Sequence, residues 1–231
     1  MVDLRRIDAP ELQDLAHLSD LLDAGERKRL ARFARPADRH RYLAAHAGLR
    51  LLLGDRLGMA PRAVRLGRDA CPICGDEHGR PISLDDPEGT FFSIAHTDGL
   101  VLLAIADATV GVDAETVGGD DLREDLDMVL HPDERAALER LPEASRARAL
   151  LSCWVRTEAH LKALGTGLGR DPATVMVGPE APGTVTRVDG WSVVDLDVGA
   201  GHVAAIALAG PGSGSDDIDR ALVVEPLRLP V

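Results

Sequence analysis

The chain is poor in aromatic residues, lysine and cysteine, and each shortage excludes something. Aromatics make up only 3% of its 231 residues, so any core must be built from Leu, Val, Ile and Ala; at 45% hydrophobic content there is enough of them. Three cysteines do not make a disulfide framework. The longest apolar run, Leu100 to Ala106, is far too short to cross a bilayer. The opening Met-Val-Asp-Leu-Arg-Arg-Ile-Asp has no apolar run of signal-peptide length, so no membrane partner and a cytoplasmic location are expected. A net charge of −12 argues against nucleic acid as a partner, because phosphate backbones demand a basic surface.

The charge is unevenly placed. Between residues 26 and 50, Arg27, Lys28, Arg29, Arg32, Arg35, Arg39, Arg41 and Arg50 face only Glu26 and Asp38. Asp120, Asp121, Glu124, Asp125 and Asp127 meet Arg123 alone. The basic stretch suits either a small polyanion or a solvated helix face.

Two short segments carry the chemistry. Gly111-Val112-Asp113-Ala114-Glu115 closes an apolar stretch that reads as buried strand, which puts the carboxylates of Asp113 and Glu115 on the same face. Trp154-Val155-Arg156-Thr157-Glu158-Ala159-His160-Leu161-Lys162 reads as helix, with Trp154, Glu158 and Lys162 recurring every fourth residue on one side. Three carboxylates and one amine are thereby expected to converge. Oxygen-only ligands of this kind suit Mg²⁺, which keeps several waters and holds substrate phosphates. Lysine is used only twice among 26 basic residues, at Lys28 and Lys162. Its choice here suggests a compact ammonium beside phosphate; the competing reading is an i,i+4 ion pair with Glu158 worth about 0.3–0.5 kcal/mol.

These segments resemble the two signature motifs of the 4′-phosphopantetheinyl transferases, in the surfactin-type (Sfp-like) branch. Arg29, Arg32-Phe33 and the run from Arg39 to Arg50 look like that family's basic helix. Gly79-Arg80-Pro81 looks like its G-(K/R)-P turn, and Phe92-Ser93-Ile94-Ala95-His96-Thr97 like the strand carrying its histidine. The match departs at Thr157, where a lysine is common, and at Ala95, which replaces a serine. The resemblance implies an α+β fold of two similar halves with pseudo-twofold symmetry, residues 1–108 on the coenzyme A side and 109–231 with the catalytic helix. It implies transfer of the phosphopantetheine arm of coenzyme A to a serine of an apo acyl or peptidyl carrier protein, with release of 3′,5′-ADP. Asp113, Glu115 and Glu158 would then ligate Mg²⁺, with Glu158 and Lys162 as the catalytic pair. Arg29, Arg41, Arg80, His96, Thr157 and Lys162 would contact the coenzyme, with Thr157 offering a hydroxyl in place of the lysine ammonium. A coenzyme-binding homologue without turnover and an unrelated magnesium phosphohydrolase are the alternatives. The acidic stretch at 120–127 marginally favours peptidyl carriers over acidic ones. Two halves in one chain make a monomer the default.

Periodicity places helices at 12–30, 38–57, 132–141 and 145–164. Strands are expected near 64–66, 91–95, 100–106, 110–115, 174–177, 184–188, 191–196 and 203–208. Residues 210–217 read as a flexible connector and the last ten as a tail or edge strand. Cys71-Pro-Ile-Cys74-Gly-Asp-Glu-His78 has the spacing of half a zinc site, yet no second CxxC or HxxxH occurs. A tight turn leading into Gly79 is the simpler reading.

Overall fold

The computed structural model of the chain describes residues 1–8, 15–118, 129–178, 184–210 and 222–230. The fold is mixed α+β, as the sequence suggests, and it stacks in four layers. Strands β1 (Val2–Asp8), β4 (Phe91–Thr97), β5 (Leu100–Ala106) and β10 (Val224–Pro226) form one sheet in the order β10-β1-β5-β4. Strands β6 (Val110–Thr116), β7 (Thr186–Val188), β8 (Trp191–Asp195) and β9 (His202–Ala209) form a second, in the order β6-β9-β8-β7. A small ribbon joins β2 (Leu66–Arg68) to β3 (Pro81–Ser83).

Alternation along the strands explains the layering. Val101, Leu103 and Ile105 face a core shared with helix α2 (Pro36–Leu57), while Leu100, Leu102 and Ala104 face the second sheet. On β9, Ala204 and Ile206 meet the first sheet. Val203, Ala205 and Ala207 face the core built on helix α4 (Glu143–Leu164), to which α3 (Pro132–Glu139) adds Leu138. Each sheet is therefore apolar on both sides, which is why β5 reads as an unbroken hydrophobic run. The edge strands β4 and β6 lie side by side. The Val112 backbone N–H donates to Ser93 Oγ at 3.0 Å, and the hydroxyls of Thr97 and Thr116 are 2.9 Å apart.

Three expectations fail for physical reasons. The single helix at 12–30 is broken: a 3₁₀ turn at Ala16–Leu21 precedes α1 (Ala24–Leu30). Asp23 and Glu26 form a reciprocal capping box at 2.8 Å in each direction and start the helix afresh. No strand forms at 174–177: a 3₁₀ turn at Pro172–Thr174, where Asp171 accepts from the Ala173 N–H, ends at Thr174, and 175–177 take no regular structure. Strand β1 has no expected counterpart, since Arg5 and Arg6 hide its pattern by pairing with Asp3, Asp8 and Glu225. The acidic stretch at 120–127 and most of the connector, 211–217, lie outside the described residues.

One glycine sets the distance between β6 and α4. Gly111, Asp113 and Glu115 alternate toward α4, and a Cβ at Gly111 would lie 2.0 Å from the Ala159 carbonyl oxygen and 2.5 Å from the Ala163 nitrogen. Both are backbone atoms of a buried helix and cannot swing aside. Gly111→Ala should therefore cost at least about 3 kcal/mol of stability, measured by urea denaturation.

Candidate active site

Asp113, Glu115, Glu158 and Lys162 meet where β6 ends beside the last turns of α4. Asp113 is buried, whereas Glu115, Glu158 and Lys162 are half-buried around it. Lys162 Nζ donates to Asp113 Oδ1 at 2.6 Å and to the Val112 carbonyl oxygen at 3.2 Å. The lysine thus bridges helix to strand, and the i,i+4 pairing with Glu158 is not what holds it. Thr97 Oγ1 donates to Glu115 Oε2 at 3.4 Å.

This cluster is short of positive charge. Asp113 Oδ2 is buried without a hydrogen-bond partner. Burial pushes the Asp113 carboxyl up despite the pull of Lys162. Burial and the Asp113 charge push Glu115 to about 7, and the same two causes raise Glu158. One ammonium among three carboxylates leaves room for a cation, and the donors are all hard oxygens. The three are spread around a basin: their oxygens do not all fall within 4.8 Å of one another, as the ligand atoms of Cys71, Cys74 and His78 do.

A basic band leads away from the basin. His96 lies on β4 with its side chain exposed, and the protein surrounding the ring and the nearby charges of Arg41, Lys162 and His46 hold its pKa down. Arg41, on α2, is ion-paired with both Asp38 and Asp98. His46 stacks on Tyr42 with 4.0 Å between ring centroids, and the Arg29 guanidinium lies over the Tyr42 ring, 5.9 Å from its centroid. Arg29 also lines a cleft of about 440 Å³ with Lys28, Arg32 and Phe33.

A buried ion pair supports that band. Arg50, expected on the basic surface, is fully buried. It donates to Glu26 at 2.8 Å, to Asp23 at 2.9 Å and to the Val64 carbonyl at 2.8 Å. Glu26 also holds His46 Nδ1 at 2.9 Å.

Two expected coenzyme contacts are placed elsewhere. Arg80 pairs with Asp69 at 3.0 Å, reaches Thr109 at 3.3 Å and sits over the Phe91 ring. Phe91 opens β4 and is separated from His96 by about 16 Å of extended strand. Thr157 is buried and its hydroxyl has no partner, so it does not share the rim with Glu158 and Lys162. Neighbouring Arg156 is buried too, held by Asp195 at 2.6 and 2.7 Å and by the Gly178 carbonyl at 2.8 Å. Trp154 packs at the edge of the α4 core. Sequence reasoning passed over Asp98 and Thr97, which steady Arg41 and Glu115. Asp98-Gly99, with Gly99 at φ +78°, is a hairpin signature that marks this turn.

Comparison with known proteins gives this geometry a family. The profile of the 4′-phosphopantetheinyl transferase superfamily matches residues 109–207, which carry β6 and α4. The 4′-phosphopantetheinyl transferase HetI of Nostoc sp. is 30% identical over 211 residues, covering 89% of this chain and 86% of its own. The chain belongs to the 4′-phosphopantetheinyl transferase superfamily. A phosphopantetheinyl transferase of Thraustochytrium sp. is 30% identical over 203 residues, 82% of this chain and 66% of its own length. The transferase gsp of Aneurinibacillus migulanus is 25% identical over 130 residues, 55% of this chain and 53% of its own. The family segment thus spans both signature regions, Asp113 to Glu115 and Glu158 to Lys162.

Two measurements check the ion pairs. Lys162→Met should destabilise the protein by about 1–2 kcal/mol by leaving Asp113 buried and unpaired, and Asp113→Asn in the same chain should restore most of that. Glu26→Gln should cost about 3 kcal/mol, because Arg50 stays buried with one carboxylate fewer. Burial raises the Glu26 carboxyl, but hydrogen bonds from His46, the Asp23 N–H and Arg50 outweigh it and hold the group below its ordinary 4.5. Its contribution is present above pH 4.5 and lost as the pH falls through the native value. The melting temperature of Glu26→Gln should therefore fall less steeply in acid than that of the natural chain.

Proposed function

We propose that this transferase moves the 4′-phosphopantetheine arm of coenzyme A onto a serine hydroxyl of an apo acyl or peptidyl carrier protein, releasing 3′,5′-ADP. The observation behind this reading is the Asp113 carboxylate, one oxygen held by Lys162 and the other buried and unpartnered, with Glu115 and Glu158 beside it. Asp113, Glu115 and Glu158 would hold Mg²⁺, the hard cation that an all-oxygen set at a basin of excess negative charge suits. Such an ion would supply charge neutralisation on the pyrophosphate.

The chain's own groups have distinct tasks in this scheme. The carrier serine oxygen attacks the phosphorus that bears pantetheine, and the bond from that phosphorus to the bridging oxygen breaks. Glu158 takes the hydroxyl proton, for which its raised pKa is suited. The bridging oxygen and its electron pair leave with 3′,5′-ADP. Lys162, fixed by Asp113 and the Val112 carbonyl, presents its ammonium where that negative charge grows. His96, Arg41 and Arg29 would receive the coenzyme's phosphates along the first half, residues 1–108, with the acid cluster contributed by the second half, 109–231. Arg80 and Thr157 have no part in this assignment, because one lies over Phe91 at the opposite end of β4 from His96 and the other is shut inside α4's packing. We further infer that the protein works as a monomer in the cytoplasm.

The test is direct. Incubation with Mg²⁺, coenzyme A and a panel of apo acyl, polyketide and peptidyl carriers should add the mass of phosphopantetheine to a carrier and form 3′,5′-ADP. EDTA should stop the reaction, and Glu158→Gln should lower kcat by about 100-fold or more while coenzyme A still binds. Tight coenzyme binding with no carrier modified would overturn this reading, as would coenzyme breakdown in the absence of any carrier.

A further inference from the structure

The turn that leads into Gly79-Arg80-Pro81 gathers three soft ligands that the transfer chemistry does not use. Cys74 Sγ lies 3.0 Å from His78 Nε2, and the ligand atoms of Cys71, Cys74 and His78 all fall within 4.8 Å of one another. No other group of three or more His, Cys, Asp or Glu among the described residues does so. Tetrahedral zinc with sulfur at about 2.3 Å and nitrogen at about 2.0 Å needs ligand separations of this order.

The backbone is folded about the two sulfurs. The Gly75 N–H donates to the Cys71 carbonyl at 2.8 Å, with Gly75 at φ +80°, and the Cys71 N–H donates to the Asp76 carbonyl at 2.8 Å. Cys71 is buried at the base of the loop, and Ile73 at its tip is 56% exposed.

We propose that Cys71, Cys74 and His78 bind one Zn²⁺ through two thiolates and a ring nitrogen, leaving the fourth corner to water. Soft thiolates select zinc over magnesium, so this centre is chemically separate from the carboxylate basin. Its place in the fold gives it a task. Below the turn, the Asp69 N–H donates to the Arg80 carbonyl and the Gly79 N–H to the Asp69 carbonyl, both at 3.0 Å. The Arg80 nitrogen in turn lies 3.3 Å from where a Gly165 Cβ would be, at the end of α4. The zinc would pin this turn against the terminus of the helix that carries Glu158 and Lys162.

The test reads metal content on the full chain and does not depend on transferase activity. Protein purified under reducing conditions should carry about one zinc per chain by mass spectrometry. Replacement by Co²⁺ should produce thiolate-to-cobalt charge-transfer bands and the visible bands of a tetrahedral ion, and excess Mg²⁺ should not remove them. Cys74→Ser and His78→Ala, both at exposed positions, should lose these bands while the protein stays folded. A fully reduced protein that holds less than about a tenth of a zinc per chain and gives no cobalt bands overturns the proposal. So does a metal-free protein in which Cys71 and Cys74 have joined as a disulfide.

Discussion

The closeness of β6 to α4 governs the rest of this molecule. With any side chain at Gly111 the helix would have to rise, because the nearest obstacles are main-chain atoms at Ala159 and Ala163. At the distance that glycine permits, the Lys162 ammonium reaches both a strand carbonyl and the Asp113 carboxylate. Without it, the two signature segments would remain on neighbouring elements and never share a basin. A steric vacancy on one strand thus precedes every electrostatic feature of the site.

Charge is handled in two contrasting ways. Where it is structural it is complete: Arg50 and Arg156 are buried with their guanidinium groups met by carboxylates and carbonyls. Such pairs add little net stability but make their removal expensive. Where charge is functional it is left unbalanced, as at Asp113, whose second oxygen has no partner. Arg29, which rests on an aromatic face beside a cleft, stands on the functional side of this contrast.

Elements with strong periodicity were legible in the sequence. Helices α2 and α4 and strands β4, β5, β6, β8 and β9 fall within a few residues of their expected bounds, because burial on fixed faces dictates their patterns. Strand β1 was not legible, since its charged residues are neutralised by partners as distant as Glu225. Nor was the break before α1, where two carboxylates act at once as cap and as counter-ions to Arg50. Within the site, the identity of the cluster could be read from residue types, but not the partner of Lys162. Helical spacing points to Glu158, and only the folded contact across to β6 selects Asp113. The burial of Thr157 was likewise invisible, because α4 is covered on several sides by α3 and the segment reaching Val177.

The pairing of β10 with β1 joins the two extremes of the chain: Leu4, Arg5 and Arg6 align in parallel with Val224, Glu225 and Pro226. During synthesis the first strand can dock on β5 long before residue 224 leaves the ribosome, so for most of translation its outer edge has no neighbour. A bare edge of that kind invites pairing with other nascent chains. The arginines and aspartates that obscured β1 in the sequence are the residues best suited to guard it in that interval.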